Sequence, residues 1–285
     1  MKPAKFTHHA PKTLEDALAI LAEVAPLDGR ILAGGQSLVP TMALRLAQPA
    51  HLVDINGVAG LDRLEVVDGE LSIGACVRHA AFHRPVAEGP LGLLLSAVVR
   101  KIAHYPIRTR GTFCGSIANA DPASEWCLVA ATLGAKMVAM SSRGERVIAA
   151  NDFFRGIMMS ALDADELLAE VRLPLLPSDA HFGFHEFSRR AGDFAMAMAL
   201  AVYRMEGGRM AGVRIGTGGV EEHSRRIAEA ESLLEGQAPS TGLFRAAADA
   251  AATAVSPIDQ SPEIAGYKRD LVRTLVRRAL EEAAA

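Results

Sequence analysis

The chain has 285 residues, of which half are hydrophobic and 22% are charged, and its formal net charge at pH 7 is −3. This composition is typical of a globular protein with two or three domains and excludes a disordered chain. The lack of net positive charge argues against nucleic acid as a partner. No apolar run is long enough to cross a bilayer, and no secretory signal follows Lys2 and Lys5. We therefore expect a cytoplasmic protein with no transmembrane segment.

Three cysteines, Cys76, Cys114 and Cys127, are far apart and form no CxxC pair. They cannot supply the four thiolates of an iron–sulfur cluster or a zinc-ribbon set. An odd, sparse count also suits a reducing compartment better than a disulfide scaffold. We predict no metal site in this chain, so any electron carrier bound to it must be organic.

The first part of the chain is predicted to form a βαβ-like unit. Thr13 and Asp16 are typical of a capping box at the start of an amphipathic helix. A strand over 30–32, a helix over 38–46 and a strand over 52–55 follow in that order. His8 and His9 are predicted to lie in a loop as solvated side chains.

The middle of the chain combines hairpins with helices. Asp68-Gly69 predicts a two-residue hairpin turn. The other predicted elements are a helix over 91–103, a helix over 122–133, a hairpin over 136–148 and a strand over 166–173. For the second helix we predict Asp121 as the N-cap and Pro122 as the first helical residue.

A proline-rich segment over 174–178 predicts a domain boundary. Beyond it, strands are predicted over 181–188, 197–205 and 209–216, and helices over 224–234, 243–255 and 262–284. Strands followed by helices indicate an α+β domain.

Two glycine-containing segments are the main candidates for ligand binding. The first, AGGQS at residues 33–37, follows a predicted strand. The second, RGTFCGSIANADPASE at residues 110–125, is a turn-prone run between two apolar segments. Glycine lets a ligand approach the backbone, whose N–H groups can bind an anion together with the hydroxyls of Thr112 and Ser116. Two such segments predict a ligand with a long phosphate-bearing middle, a dinucleotide cofactor.

The other chemistry-bearing patterns are weaker. Neither a GxGxxG fingerprint after a strand nor a Walker loop is present. The glycine-rich segment over 216–219 is interpreted as a turn. The segment over 189–195 is either a charged turn or a surface that contacts a planar ring through its aromatic residue. Trp126 is predicted to lie in the core.

The two glycine segments and the 189–195 stretch, in this order and spacing, resemble the FAD-binding medium subunits of molybdenum hydroxylases. Carbon monoxide dehydrogenase medium chains, nicotine and related N-heterocycle dehydrogenases, and the flavin domain of xanthine dehydrogenase belong to this family. The resemblance extends from Phe6 to about Leu280. It implies an α+β chain with a vanillyl-alcohol-oxidase-type fold, in which two α/β subdomains (1–57 and 58–176) bind FAD. A C-terminal domain (177–285) adds a three-stranded antiparallel sheet and three helices.

The resemblance also implies the cofactor contacts. The residues expected at the FAD diphosphate are Ala33, Gly34, Gly35, Gln36 and Ser37 from the first segment, and Thr112, Phe113, Cys114, Gly115 and Ser116 from the second. Glu125 matches an acidic residue on the ribose side, with Asp121 as the alternative. Leu168 matches a backbone contact to the flavin ring. His185 stands where xanthine dehydrogenase has a lysine near the ring, and Phe194 is the aromatic residue of the 189–195 stretch.

Cys114 departs from the family pattern, because many relatives have glycine there. A left-handed backbone would cost a residue with a Cβ about 1–2 kcal/mol. We therefore predict that Cys114 has a negative φ and still directs its N–H toward the ligand. A reactive thiol is the alternative role for this residue.

The implied function is electron transfer within a complex. A large subunit would carry molybdopterin, a small subunit would carry two [2Fe–2S] clusters, and electrons would leave the FAD of this chain for an external acceptor. Two alternatives stay open at this point: a free-standing FAD-dependent oxidase, and a non-catalytic assembly subunit without flavin.

Overall fold

The structure is a computed structural model that describes residues 2–259 and 261–285. Its helices are α1 (Leu14–Val24), α2 (Leu38–Ala43), α3 (Pro90–Val98), α4 (Tyr105–Arg108), α5 (Phe113–Asn119), α6 (Glu125–Leu133), α7 (Ala150–Phe153), α8 (Ala228–Leu234), α9 (Thr241–Ala254) and α10 (Pro262–Ala283). No helix within the described ranges has the length and apolar character needed to cross a membrane.

The strands form one parallel sheet, two larger antiparallel sheets and one small hairpin. They are β1 (Thr7–His9), β2 (Gly29–Leu32), β3 (His51–Asp54), β4 (Leu64–Val67), β5 (Glu70–Gly74), β6 (Lys136–Ser141), β7 (Gly144–Ala149), β8 (Phe154–Gly156), β9 (Met159–Ser160), β10 (Leu167–Pro174), β11 (Ala180–Phe187), β12 (Ala197–Glu206), β13 (Arg209–Gly218) and β14 (Arg225–Arg226).

The first sheet has the order β1-β3-β2, with all strands parallel. The predicted βαβ-like order of β2, α2 and β3 is confirmed, and Thr13 caps α1 by accepting from the N–H of Asp16. The loop prediction for His8 and His9 was wrong, because both residues lie in β1. This edge strand is three residues long and polar, so it carries no apolar alternation that would predict a strand.

The second sheet has the order β4-β5-β10-β6-β7 and is antiparallel throughout. Both predicted hairpins are present. The first turns at Asp68 (φ 50°) and Gly69 (φ 78°), as expected for two residues that tolerate the left-handed backbone. Strand β10 pairs with both hairpins and lies at the centre, which explains why most of its residues are apolar and buried.

The segment over 110–125, predicted as a turn-prone run, contains the short helix α5. Thr112 caps this helix by accepting from the N–H of Gly115 (3.1 Å), and Ala120, with φ 51°, ends it. The predicted N-cap of α6 was also wrong. Ser124 caps α6, whereas Asp121 accepts from the N–H of Ala123 (2.9 Å) in the turn before it. Asp121 and Ser124, three positions apart, can each cap a helix. Asp121 takes part in the turn after Ala120, so α6 begins later in the chain.

An aromatic cluster lies under α5 and α6. Trp126 packs against Phe113 and Phe82, with ring centroids 4.8 and 5.2 Å away, and all three side chains are fully buried. The prediction that Trp126 is a core residue is confirmed. Because Phe113 is anchored in this core, the start of α5 has little freedom to move.

The C-terminal sheet has the order β11-β12-β13-β14, and α8, α9 and α10 follow it in the chain. The three predicted strands and the three predicted helices are present. The two-residue strand β14 extends the sheet, and it is too short to produce an alternating pattern. Strand β11 packs closely on α10, where a Cβ added at Gly183 would lie 2.0 Å from the backbone oxygen of Ala279.

This contact predicts the effect of a single methyl group. Gly183→Ala should lower the free energy of unfolding by about 1–3 kcal/mol, because β11 and α10 must move apart. Gly242→Ala is the matched control, since a Cβ there meets no atom within 4 Å, and it should leave stability unchanged or raise it by up to about 1 kcal/mol. Urea unfolding measures both changes. Equal stability of the two variants would contradict the packing described here.

Candidate cofactor-binding site

A cleft of about 310 Å³ lies between the first sheet and the segment that leads into α5. One wall is formed by residues 30–38, which include the end of β2 and the loop that follows. The opposite wall is formed by residues from Gly111 to Asn119, and Leu162 and the start of β10 close one side. A strand, a glycine loop and a helix thus follow each other on one wall, an order that directs backbone N–H groups at a ligand.

Most of the sequence-predicted contacts lie together in this cleft. Those that line it are Ala33, Gly34, Gly35, Gln36, Ser37, Thr112, Cys114, Gly115, Ser116 and Leu168. They come from three stretches of chain separated by more than fifty residues each, so the fold brings together segments that are distant in sequence.

Five predicted residues do not line the cleft. Phe113 turns its side chain into the core, and its N–H donates to the Val77 carbonyl (3.0 Å). Asp121 lies in the turn before α6, and Glu125 is buried at the start of α6. His185 is on β11, with Nε2 3.5 Å from a carboxylate oxygen of Glu282, and Phe194 is 76% exposed. Any cofactor contact from these residues must come from the margins of the site.

The two walls touch at glycines. A Cβ added at Gly34 would lie 2.5 Å from the backbone oxygen of Arg110 and 2.7 Å from Cα of Gly111. Gly35 has φ +70°, a conformation that residues with a Cβ rarely adopt. Glycine at position 34 allows the two backbones to approach this closely, and glycine at position 35 allows the positive φ of the loop.

Two polar side chains hold the walls together. Asn56 donates to the carbonyl of Ala33 (2.8 Å), and Arg78 donates to the Asn56 side-chain oxygen (2.6 Å) and to the carbonyl of Arg110. The chain of hydrogen bonds therefore runs from the first glycine segment to the second. Sequence reasoning missed both residues, because an isolated asparagine and arginine in connecting segments form no recognisable pattern.

Several backbone N–H groups remain available to a ligand. Within residues 2–259 and 261–285, those of Gly35, Gln36, Ser37 and Cys114 donate to no other group of the protein. All four residues line the cleft. Unpaired N–H groups that share a cleft form a site for an anion such as a phosphate. Without an anion, water must accept from these groups.

Cys114 lies in α5 and is not among the residues with positive φ, so its predicted negative φ is confirmed. The residue is buried, and its sulfur donates to the carbonyl of Ile73 on β5 (3.2 Å). Burial raises the pKa of the Cys114 thiol far above its usual range, and it raises that of Cys76 to about 11 and that of Cys127 to about 12. These thiols are therefore poor nucleophiles, which argues against the reactive-thiol alternative.

Two carboxyl groups that interact electrostatically, the buried Glu125 at the start of α6 and the half-buried Glu186 on β11, are not among the residues that line the cleft. Burial, followed by the charge of Glu186, raises the pKa of Glu125 to about 8. Burial raises the pKa of Glu186 to about 7, and Lys101 partly opposes this. Within the described residues, Oε2 of Glu186 has no hydrogen-bond partner. The native protein thus keeps protons on this pair that an unfolded chain would release.

The burial of the cysteines predicts slow thiol chemistry. All three thiols of the native protein should react with Ellman's reagent only on the timescale of unfolding, and at once in denaturant. Ser178→Cys, which places a thiol at an exposed position, is the control and should react rapidly. Rapid reaction of any native thiol would contradict the burial assigned to it.

The carboxyl pair predicts a pH dependence of stability. Because both pKa values are raised above the ordinary 4.5, the native state binds more protons at these two groups, and their contribution to the free energy of unfolding should fall as pH rises from about 4.5 to about 8. The lowered pKa of His79 acts in the opposite direction, so the contribution of the pair is the difference between the profiles of the wild type and Glu125→Gln. The fall should amount to a few kcal/mol, since one pKa unit corresponds to about 1.4 kcal/mol. Glu125→Gln should flatten it, whereas Glu88→Gln, at an exposed position, should not. If the free energy of unfolding of the wild type and of Glu125→Gln depended on pH in the same way, the raised pKa values assigned to this pair would be wrong.

Two family models together match nearly the whole chain. The model described as "FAD binding domain in molybdopterin dehydrogenase" matches residues 4–176, and the one described as "CO dehydrogenase flavoprotein C-terminal domain" matches residues 182–283. The chain is 39% identical to the nicotine 6-hydroxylase medium subunit of Paenarthrobacter nicotinovorans, over 100% of this chain and 99% of that one. It is 33% identical to the carbon monoxide dehydrogenase medium chain of Hydrogenophaga pseudoflava, over 99% and 98%.

Solved structures agree with these matches. A carbon monoxide dehydrogenase from Hydrogenophaga pseudoflava that lacks the Mo-pyranopterin moiety superposes with a TM-score of 0.94 at 33% identity, covering 100% of this chain and 99% of that one. Quinoline 2-oxidoreductase from Pseudomonas putida 86 gives a TM-score of 0.91 at 35% identity, covering 100% and 98%. The predicted α+β fold class and the family resemblance are confirmed. This chain belongs to the FAD-binding medium subunits of the molybdenum hydroxylase family of oxidoreductases.

Proposed function

We propose that this chain is the electron-transfer subunit of a molybdenum hydroxylase-type complex, in which its FAD passes electrons from an iron–sulfur subunit to an external acceptor. The observation that carries the proposal is the pair of glycine segments that meet at Gly34 and Gly111, beside four N–H groups that have no partner among the described residues. A cleft of this kind suits the diphosphate of a dinucleotide.

The residues present fit FAD. Gly35, Gln36 and Ser37 would donate to the diphosphate from one side, and Cys114 would donate from the other, near the start of α5. Leu168 lies at the β10 side of the cleft, where the flavin end is expected. Glu125 or Asp121 on the ribose side, and His185 and Phe194 near the ring, are proposed as contacts from the margins. Phe194 is exposed enough to cover a planar ring.

When bound, FAD would supply the capacity to accept and release electrons. The protein's own contribution is to bind the cofactor, orient it and exclude water from its diphosphate. Because the cysteine thiols are buried, none of them is a reactive group beside the cofactor. Molybdopterin and the [2Fe–2S] clusters are proposed for the large and small partner subunits, and the cytoplasmic location and the divisions at residues 57 and 176 stay predictions.

Reconstitution with the two partner subunits tests this role. The complex should contain FAD, and substrate should bleach the flavin absorbance only when both partners are present. Oxidation of substrate by this chain alone would instead indicate a free-standing oxidase. A complex that is active while this chain holds no flavin would indicate an assembly subunit.

Gly34→Ala tests the cofactor site within this chain. Its Cβ would lie 2.5 Å from the backbone oxygen of Arg110, so the two glycine segments must separate, and FAD affinity should fall at least about tenfold. Gly266→Ala adds a Cβ where no atom lies within 4 Å and should bind FAD like the wild type. Quenching of FAD fluorescence on binding to the apoprotein measures both. Full affinity of folded Gly34→Ala would contradict the proposed site.

A further inference from the structure

His79 is a buried histidine that lines the cleft and that sequence reasoning did not single out. The residue follows β5 in the chain and is 4% exposed, and its side chain lies beside the second glycine segment. Its backbone N–H donates to the carbonyl of Gly111 (2.9 Å), which fixes the residue against this segment. The imidazole therefore has a defined place in the wall of the cleft.

A tryptophan determines which ring nitrogen of His79 carries the proton. Nε1 of Trp126 lies 2.9 Å from Nδ1 of His79. An indole nitrogen can only donate, so Nδ1 must accept and must be unprotonated. Trp126 is fully buried and packs on Phe82 and Phe113, so this donor cannot turn away. The neutral ring consequently carries its proton on Nε2.

The neutral form is also favoured by the surroundings. Burial, followed by the charges of Arg108 and Arg78, lowers the pKa of His79 to about 4. The ring is therefore neutral near pH 7, and its one N–H donor is at Nε2.

Nε2 lies beside the point where the two glycine segments meet. A Cβ added at Gly111 would lie 2.6 Å from Nε2, and one added at Gly34 would lie 2.7 Å from Cα of Gly111. Any side chain at position 111 would therefore clash with the His79 ring, and glycine avoids this clash. Within residues 2–259 and 261–285, Nε2 donates to no group of the protein. Nε2 does not belong to the fully buried polar atoms that lack a partner, so a ligand or water in the cleft can accept from it.

We propose that His79 is a further cofactor-binding residue, which donates from Nε2 to a diphosphate oxygen of FAD, and that Trp126 is the positioning residue that holds the ring in the donating tautomer. This inference rests on the proposed binding of FAD in the cleft. His79 would add one side-chain donor to the backbone donors. This donor is neutral, and its orientation is fixed before the cofactor binds.

Titration of apoprotein with FAD tests the donor. His79→Leu should weaken FAD binding about 10- to 100-fold, because a hydrogen bond to a charged oxygen is lost. His79→Gln, whose amide nitrogen reaches the position of Nε2, should restore affinity to within about threefold of the wild type. His181→Leu, on β11 outside the cleft, is the matched control. Wild-type affinity in folded His79→Leu would overturn the proposal, whereas failure of the wild type to bind FAD would overturn the proposed function itself.

Two spectroscopic measurements separate this role from a merely structural one. In ¹⁵N spectra of the wild type, the Nε2–H signal of His79 should shift on addition of FAD, and Trp126→Phe should introduce the other tautomer and weaken binding about two- to fivefold. In ³¹P spectra, His79→Leu should move the diphosphate signals of bound FAD while the flavin absorbance stays unchanged. An unshifted Nε2–H signal, or a change in the flavin band without one in the ³¹P signals, would overturn the assignment to the diphosphate.

Discussion

The structure of the site depends on the close approach of two backbone segments at Gly34 and Gly111. With any side chain at position 34, the walls of the cleft would have to separate. Hydrogen bonds from Asn56 and Arg78 then hold the walls in place. These bonds engage backbone carbonyls, and the N–H groups of residues 35–37 and 114 keep no partner among the described residues. The geometry suited to an anion is therefore a consequence of how the two segments are joined.

The core supports this arrangement from below. Phe113, the first residue of α5, is buried with Trp126, while its neighbour Cys114 lines the cleft and its N–H donates to no other group among the described residues. Neighbouring residues of one short helix thus serve packing and ligand binding separately. The same tryptophan orients His79, so one buried side chain links the packing of α6 to a polar group in the site. Such a site is organised before the ligand binds, which lowers the entropic cost of binding.

Much of the fold could be predicted from local patterns. The hairpin at Asp68-Gly69, the capping box at Thr13 and the strands and helices beyond residue 176 have strong local signals, and they agree with the structure. The failures have physical reasons. Strand β1 is polar and short, and the N-cap of α6 was placed at Asp121 because Ser124 competes with it. The glycine segments revealed the site through their composition, whereas Asn56, Arg78 and His79 act through contacts across the fold that no local pattern encodes.

The most direct measurement is a crystal structure of this chain with FAD bound. The account predicts that the diphosphate lies between residues 33–37 and 112–116, with phosphate oxygens accepting from the N–H groups of the first segment and of Cys114. A diphosphate bound elsewhere, with these N–H groups facing water, would contradict it.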